Sequence, residues 1–307
     1  MNDLTARKRL MAELLLICVA AGWGIGFPAM KQAVALHPVL MVLGLRFLLS
    51  TLMLLPFSVR RLAGIGGRTY LAGISLGLLL GTAFVFLILG LQTTTASSTG
   101  FLAGLAVVWV LLLSGPLAGK LPSASAIAAV IFGVTGLLVM SDVRDWRLQW
   151  GDSLVIIGSV FTALHILALD KLSGRHDNTV LTFLQVATMA AVILAMQQIL
   201  GGNAFPETWD SMLVGALLVT ALFSTVIAFW VQTRYQRYTS PTRAVLIYNL
   251  EPVFSALFAV WLLHESVSLN VLLGGTLILM GMCMPGLMSL FAQRKGKNRA
   301  PADSMAE

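Results

Sequence analysis

Ten long apolar runs constrain this chain more than any other feature of its sequence. Each run is close to the roughly 20 residues that a helix needs to cross the hydrocarbon core of a bilayer. Short breaks with charged residues, proline or glycine separate the runs, and little of the chain lies outside them. The runs occupy residues 11–34, 38–59, 69–91, 95–118, 123–141, 152–171, 179–200, 210–235, 241–263 and 268–291. The pattern predicts ten membrane spans.

Composition decides what kind of spans these are. Only 11% of the 307 residues are charged and 58% are hydrophobic, whereas a soluble domain carries about 25% charged residues. A soluble enzyme is excluded, because one hydrophobic core stops growing near about 250 residues and could not bury this much apolar surface. Continuous apolar runs favour helices, since a transmembrane barrel shows short alternating segments. The prediction is an all-α polytopic membrane protein.

The basic residues between the runs fall almost entirely on one side of the predicted membrane. If the spans alternate in direction, one face of the membrane has only three basic residues, Lys31, Arg144 and Arg147, and is called the sparse face here. Arg46 lies inside the second run. The basic face holds Arg7, Lys8, Arg9, Arg60, Arg61, Arg68, Lys120, Lys171, Arg175, Arg234, Arg237, Arg243, Arg294, Lys295, Lys297 and Arg299. The positive-inside rule then predicts cytoplasmic termini in a bacterial-type inner membrane. The net charge of +7 reflects this topology and indicates no nucleic-acid partner.

The two halves of the chain resemble each other. Residues 92–120 align with residues 236–264 at a constant offset of 144, so that Gln92 meets Gln236. Further matched pairs are Thr95 with Thr239, Ser98 with Thr242 and Leu102 with Leu246. Each half has five runs, and an odd number makes the second copy enter the membrane from the opposite side. Two inverted five-helix repeats are therefore predicted, an arrangement that many secondary transporters use for alternating access.

Several short motifs are similar to those of a known family of carriers. They are Trp23-Gly24, Phe27 and Lys31 in the first run, Arg46-Phe47 in the second, and Asn249-Leu250-Glu251-Pro252-Val253 with His264-Glu265 in the ninth. On these residues the chain resembles the EamA-type branch of the drug/metabolite transporter superfamily over about residues 10–290. One departure is Val107-Val108 in the first copy, where the second copy has Glu251-Pro252.

The resemblance implies a secondary transporter rather than an enzyme. Its repeats would occupy residues 10–141 and 152–291, and the polar residues 292–307 would form a cytoplasmic tail without regular structure. Such carriers alternate access around a central cavity between the repeats. The chain is most similar to exporters of amino acids, including the YddG-type exporters, so apolar or aromatic amino acids are the expected substrates. No cofactor or metal is implied, the partners are a small molecule and membrane lipids, and the oligomeric state is left open.

Ionisable residues inside the runs are the first candidates for the site, because a charge in lipid costs at least about 2.5 kcal/mol and needs a cavity or a partner. Tyr248, Glu251 and Ser255 share one face of a continuous helix, where Glu251 would contact a substrate amine or carry a proton. A structural carboxylate is the equal alternative. Arg46 is more readily explained as a structural residue that pairs with a carboxylate or with carbonyl groups. Its repeat counterpart lies near Gln185.

Histidine and aromatic residues complete the candidate set. His165 in the sixth run corresponds to Phe27 in the first, and its titration would suit protons as a coupling ion. Aromatic faces could stack on a planar or apolar substrate, and a polar amide could line a watery passage. The candidates are Trp23, Phe27, Phe84, Trp109, Trp230, Tyr248 and Gln232. For each one, packing is the competing interpretation.

Other function classes leave weaker traces. Gly115 to Lys120 is one residue short of a phosphate-binding loop, so ATP coupling is not indicated. A membrane enzyme or assembly factor acting on lipid-borne groups would need a set of catalytic residues. Ser114 and His165 could be imagined as such a pair, but nothing in the sequence brings them together. A channel is the third alternative. Glycines recur every fourth residue at Gly73, Gly77 and Gly81 and at Gly100 and Gly104, which predicts close helix packing.

Overall fold

The computed structural model describes residues 3–93, 96–118, 121–141, 149–263 and 268–297, and its regular elements are helices. The first half contains α1 (Asp3–Gly24), α2 (Gly26–Leu36), α3 (Val39–Leu62), α4 (Gly67–Leu91), α5 (Ala96–Gly104), α6 (Ala106–Ala118) and α7 (Ala124–Ser141). The second half contains α8 (Trp150–Leu172), α9 (Asn178–Ile199), α10 (Ser211–Ala221), a π-helical turn (Leu222–Ile227), α11 (Ala228–Tyr235), α12 (Pro241–Tyr248), α13 (Glu251–Leu263) and α14 (Leu269–Lys297).

These helices form the ten predicted spans. Within the described residues, seven helical segments are long and apolar enough to cross a membrane. Three shorter apolar helices, at Thr99–Gly115, Ala124–Met140 and Leu269–Met284, supply the remainder. Trp150 and Trp209 flank spans on the sparse face and are 72% and 56% exposed, as residues at a membrane interface are. The all-α polytopic fold is confirmed.

Three spans are interrupted near their middle, which the apolar runs did not predict. The first span breaks at Ile25 between α1 and α2, the fourth at Leu105 between α5 and α6, and the ninth at Asn249 and Leu250 between α12 and α13. At the last two breaks the backbone tightens, with Leu105 N donating to Leu102 O (3.2 Å) and Leu250 N donating to Ile247 O (3.0 Å). Leu105 and Asn249 are separated by the repeat offset of 144 residues, so the two copies bend at the same position.

Several long helices of the first half lie along helices of the second half. In the described residues α3 and α4 lie along α9, α4 also lies along α8, and α7 lies along α14. The helix α1 packs against α11, α12 and α13. Each half therefore completes its core with helices from the other half, which places the interrupted first and ninth spans side by side.

Glycines make the closest of these contacts possible. On α4, a Cβ atom added at Gly77 would lie 2.5 Å from the Gln185 carbonyl oxygen of α9, and Gly73 and Gly81 face the same helix. The predicted packing role is confirmed for these three residues. Gly104 lies against Leu137 of α7, but no atom of the described residues lies within 4 Å of a Cβ added at Gly100, so the predicted close packing is not found at that residue.

Gly77→Ala is expected to lower the free energy of unfolding by about 1–3 kcal/mol, because the added methyl group must displace the backbone of α9. The matched control is Gly100→Ala, which adds the same methyl group to open space and is expected to leave stability unchanged or to raise it by up to about 1 kcal/mol. Denaturant titration in detergent micelles measures both. Equal stability of the two variants would contradict close packing of α4 on α9.

Proline and serine residues mark the starts of two helices, and the last helix is longer than the sequence predicts. Pro38 precedes α3, and Ser240 caps α12 with Pro241 at its first position. The helix α14 continues to Lys297, so residues 292–297 of the predicted unstructured tail are helical, and the rest of the tail lies outside the described residues. Its last turns contain Gln293, Arg294, Lys295 and Lys297, which favour helix and complement the negative end of its dipole.

Asp177 caps α9 and ties it to the end of α3. Its carboxylate accepts hydrogen bonds from the amides of Thr179 (2.9 Å) and Val180 (3.0 Å) and from Arg61 Nη1 (2.7 Å). Partial burial raises the pKa of Asp177, but the two amides and the guanidinium outweigh it and hold the pKa below its ordinary value. The cap therefore contributes stability that is present above about pH 4 and lost as the pH falls through the lowered value.

Asp177→Ala is expected to cost about 1 kcal/mol of folding stability at pH 7, a typical value for loss of a cap. The difference from the wild type should shrink as the pH falls below the ordinary carboxylate pKa and through the lowered pKa of Asp177, where the side chain becomes protonated in both states. Asp177→Asn keeps the capping oxygen and is the control, with a smaller loss that changes less with pH. A loss for the alanine variant that is constant with pH would contradict the lowered pKa.

Candidate functional site

The interrupted first and ninth spans meet at an aromatic cluster. The Trp23 ring, at the end of α1, lies 5.0 Å from the Tyr248 ring and 5.7 Å from the Phe229 ring, measured between centroids. A Cβ atom added at Gly24 would lie 3.0 Å from the Glu251 carbonyl oxygen and 2.9 Å from the Ser255 amide. Only glycine lets the end of α1 approach the start of α13 this closely, so the two helix breaks adjoin.

The helix break changes the surroundings of the carboxylate in the ninth span. Tyr248 ends α12 and is buried, whereas Glu251 begins α13 and is half-buried, as is Ser255 one turn later. The three residues were expected on one face of a continuous helix, and this expectation was wrong because the helix is interrupted at Asn249 and Leu250. Glu251 instead occupies the first turn of a half-helix, where the positive end of the helix dipole favours a negative charge.

Arg46 is buried against the π-helical turn of the eighth span. Its Nε donates to Thr225 Oγ1 (2.9 Å) and its Nη2 donates to the Ser224 carbonyl oxygen (3.1 Å). One turn along α3, Ser50 Oγ donates to the Ala221 carbonyl oxygen (3.3 Å). A π-helical turn disturbs the regular ladder of backbone hydrogen bonds, and these donors from the first repeat satisfy the displaced acceptors.

Arg46 also faces the carboxylate of the ninth span without pairing with it. The charges of Arg46 and Glu251 attract each other through the interior, one from each repeat. Ion pairs within 4.0 Å among the described residues join Glu13 to Arg9 and Arg243, His37 to Asp210, and Arg61 to Asp177, and none joins Arg46 to Glu251. The third guanidinium nitrogen, Arg46 Nη1, contacts the sulfur of Met30 at 3.8 Å, a weak acceptor.

His165 belongs to a buried polar chain between three spans. Its Nε2 lies 3.1 Å from Gln185 Oε1, and Gln185 Nε2 donates to Thr233 Oγ1 (2.9 Å). Since the Gln185 oxygen only accepts, His165 carries a proton on Nε2. Ser114 Oγ donates to its own helix at the Leu111 carbonyl oxygen (3.2 Å), so the structure does not bring it to His165 as a hydrolase pair would require.

Gln236 forms a second polar chain, on the basic side of Tyr248. Its Nε2 donates to the Ile166 carbonyl oxygen (2.7 Å), and its Oε1 accepts from Tyr248 Oη (2.9 Å) and from Gln232 Nε2 (3.4 Å). Gln236 thus links the sixth, eighth and ninth spans. The hydroxyl group of Tyr248 is already occupied, which leaves its ring as the part that faces Trp23.

The other predicted aromatic residues make contacts of their own. Trp109 Nε1 donates to Ser159 Oγ (2.9 Å) between α6 and α8, and Trp230 lies under the guanidinium of the exposed Arg234 at 5.6 Å. Phe84 packs edge-on against Phe47 at 5.5 Å. The side chains of Phe27 and Lys31 lie outside the described residues.

Three buried polar atoms near the helix breaks have no hydrogen-bond partner among the described residues. They are Trp23 Nε1, Gln232 Oε1 and Asn249 Nδ2. Buried polar groups are almost always paired with protein, water or a ligand. Asn249 points toward α7, where a Cβ atom added at Gly133 would lie 3.6 Å from its Nδ2. Trp23 and Gln232 both belong to the aromatic cluster and its polar neighbours, which leaves one donor and one acceptor open there.

Hydrogen bonds between the two repeats lie on both faces of the protein, on either side of this centre. On the basic face, Glu13 Oε1 accepts from Thr239 Oγ1 (2.9 Å), and Arg243 Nη2 donates to Glu13 Oε2 (3.2 Å), which joins α1 to the start of α12. On the sparse face, His37 Nε2 donates to Asp210 Oδ2 (2.9 Å), which joins the end of α2 to the start of α10.

Sequence reasoning missed several residues of this centre. Gln236 had been used only to align the repeats, Asn249 only as part of a motif, and Phe229 not at all. A spacing of three or four residues from another candidate on the same helix could have identified two of them. Phe229 and Gln236 have this spacing from Gln232.

Comparison with known proteins decides the family. The sequence pattern of the EamA-like transporter family matches residues 10–142 and 149–285, one match for each half of the chain. The chain belongs to the EamA-like transporter family. The two matches also coincide with the repeats that the offset of 144 residues predicted. This EamA protein is therefore a multi-pass membrane transporter.

Curated relatives agree with this family. An uncharacterized transporter of Archaeoglobus fulgidus is 28% identical over 280 residues, covering 91% of this chain and 87% of the relative. The uncharacterized transporter YoaV of Bacillus subtilis is 26% identical, covering 88% and 94%. A solved crystal structure superimposes with a TM-score of 0.76 at 19% identity, covering 92% of this chain and 99% of its own, which shows a shared fold.

Proposed function

We propose that this EamA transporter is a secondary carrier for amino acids with aromatic or apolar side chains. It would work by alternating access around the junction of the first, second, eighth and ninth spans. The general conclusion that the protein is a membrane transporter rests on its family. The proposed substrate class rests on the chemistry of this junction. The observation that carries it is the unpaired arrangement of Arg46 and Glu251.

A free amino acid carries one positive and one negative charge a few ångströms apart. Arg46 and Glu251 offer the complementary pair, attract each other across the interior, and form no direct ion pair. Opposite charges that are buried without pairing are costly, and a zwitterion that bridges them recovers part of this cost. The substrate ammonium group would bind the Glu251 carboxylate, and its carboxylate would accept from Arg46 Nη1 and from the open Trp23 Nε1.

The aromatic cluster supports the choice of side chain. The Phe229 and Tyr248 rings each lie within 6 Å of the Trp23 ring, beside the half-buried start of α13. Rings of this kind stack on flat or apolar groups and add about 0.5–1.5 kcal/mol per pair beyond the burial of area. Among the described residues Gln232 Oε1 is an open acceptor beside the cluster, so a polar side chain would find few partners there.

Alternating access requires contacts that can open on each face in turn. The tie of Glu13 with Arg243 on the basic face and that of His37 with Asp210 on the sparse face both join the first repeat to the second. Both contacts are half-buried and partly hydrated, which weakens them, so either tie can break at a cost that substrate binding can offset. Opening one tie while the other holds gives the rocking motion expected of inverted repeats.

Orientation and direction complete the proposal. The concentration of Lys and Arg on one face supports cytoplasmic termini in a bacterial-type inner membrane. The resemblance to amino-acid exporters supports outward transport, which would begin with entry from the basic face.

The test is counterflow with the full-length protein in proteoliposomes. Vesicles are loaded with unlabelled phenylalanine, leucine or threonine, and the entry of the labelled amino acid is followed against empty vesicles. We expect saturable exchange for phenylalanine and leucine. Phenylpropionate, which lacks the ammonium group, is the matched control and should not exchange. Flux that does not saturate would identify a channel, and no exchange by correctly folded protein would refute the amino-acid proposal.

Protons as the coupling ion are tested in the same vesicles. If Glu251 or His165 carries a proton during the cycle, an imposed pH gradient drives net flux of amino acid without a substrate gradient. Flux that ignores the pH gradient would limit the protein to exchange or facilitated diffusion.

A further inference from the structure

A cavity lies on the basic face, away from the proposed substrate site. Its volume is about 300 Å³, and it opens between α1, α7 and α12. Its polar lining combines two guanidinium groups with four hydroxyl groups. The lining residues that supply them are Arg9, Arg243, Ser123, Ser125, Ser240 and Thr242. This concentration of donors is unusual for a surface that the family resemblance does not involve in transport.

Two helices begin at this cavity. Ser123 Oγ accepts from the Ala126 amide (3.2 Å) at the start of α7, and Ser240 Oγ accepts from the Arg243 amide (3.3 Å) at the start of α12. The positive ends of two helix dipoles therefore add to the arginine charges. Ser125 Oγ lies 3.0 Å from Ser123 Oγ and belongs to the first turn of α7.

One carboxylate lies beside the arginines but does not use all their donors. Glu13 accepts hydrogen bonds from Arg9 Nε (3.0 Å) and from Arg243 Nη2 (3.2 Å), and its Oε1 lies 3.0 Å from Arg243 Nε in the same ion pair. Both terminal nitrogens of Arg9 and Nη1 of Arg243 have no partner among the described residues. The glutamate fixes the two guanidinium groups, and the pocket keeps a net positive charge.

The rim of the cavity is apolar and faces outward. Leu121 is 95% exposed, and Leu10 and Ile127 are 60% and 44% exposed. Leu10 and Ile127 adjoin lining residues in sequence, Leu121 lies two positions before Ser123, and all three lie at the basic ends of membrane spans. Exposed leucine and isoleucine beside a cationic pocket match a lipid, whose headgroup is anionic and whose chains are apolar.

We infer that this pocket binds a phosphate group, with the phosphodiester headgroup of an anionic lipid and free phosphate as its two possible sources. Phosphate offers oxygens in several directions, which suits donors that converge from two arginines and two helix starts. This site is separate from the junction of Arg46 and Glu251, so it does not depend on the proposed substrate.

The experiment measures lipid binding to the full-length protein in detergent by native mass spectrometry. Phosphatidylglycerol is compared with phosphatidylcholine, which has a phosphate but no net charge, and inorganic phosphate is added as a competitor. We expect phosphatidylglycerol to bind at least about tenfold more tightly than phosphatidylcholine. Displacement by phosphate supports recognition of the phosphate group itself. Binding of free phosphate without preference for phosphatidylglycerol supports the soluble source.

Variants locate the binding. Ser125→Glu places a negative charge in the pocket and is expected to weaken binding at least about tenfold, while a carboxylate in the first turn of α7 favours the helix. Ser125→Gln has the same size without the charge, and Lys8→Gln removes an exposed charge from α1 outside the pocket. Both controls should stay within about threefold of the wild type. Equal binding of both lipids without any phosphate binding, or unchanged binding by Ser125→Glu, would overturn the inference.

Discussion

Glu251→Gln is expected to reduce saturable exchange of phenylalanine by at least about tenfold while the protein still folds and inserts. A hydrogen bond to a charged group contributes about 1.5–3 kcal/mol, so loss of the carboxylate charge that binds the substrate ammonium group weakens binding about 10- to 100-fold. Glutamine keeps the size and one oxygen of the side chain, so packing at the start of α13 is retained. Counterflow in proteoliposomes measures the change.

Two controls separate this loss from general damage. Glu207→Gln makes the same substitution at an exposed residue of the connection before α10 and is expected to exchange at the wild-type rate. Ser255→Ala removes a hydroxyl group one turn along α13 and should cost less than Glu251→Gln does. Normal folding of Glu251→Gln together with wild-type exchange and selectivity would remove Glu251 from the site.

Arg46→Met is expected to lower the free energy of unfolding by about 2–4 kcal/mol, because it leaves the Ser224 carbonyl and the Thr225 hydroxyl oxygens without their buried donors. Arg46→Lys keeps the charge but reaches fewer of these acceptors, so its expected loss is about half as large. Denaturant titration in micelles measures both variants.

The matched control for Arg46→Met is Arg60→Met at the exposed end of the same helix, which should change stability by less than about 0.5 kcal/mol. If Arg46→Met proves as stable as this control, the π-helical turn does not depend on Arg46. Arg46→Lys also tests the substrate proposal, since a stable variant with impaired exchange would show that the planar guanidinium group binds the substrate carboxylate.

Much of the architecture followed from the sequence. Ten apolar runs predicted the ten spans, and the offset that pairs Gln92 with Gln236 predicted two equivalent halves. The cost of a charge in lipid directed attention to Arg46 and Glu251, which the structure places across one junction. The predictions of the spans and of the two halves succeeded because hydropathy acts on each segment separately and the thickness of the bilayer fixes the length of a span.

Two predicted aromatic residues have partners that the sequence did not indicate. Trp109 and Trp230 were chosen as aromatic faces, but one packs on Ser159 and the other on Arg234. The hydroxyl group of Tyr248 donates to Gln236 at the end of the preceding span, and only the packing of the two spans selects Gln236 over other polar residues.

The sequence by itself determined the number of spans, their relation by an internal repeat and the face that carries the basic residues, because hydropathy and charge act on each segment separately. Only the tertiary structure decided where the helices break, which carbonyl groups Arg46 satisfies and why Gly77 contacts α9 while a Cβ added at Gly100 would contact none of the described residues. A helix breaks or bends where a neighbouring helix supplies the hydrogen bonds or space that its own backbone gives up, and this depends on which spans pack together.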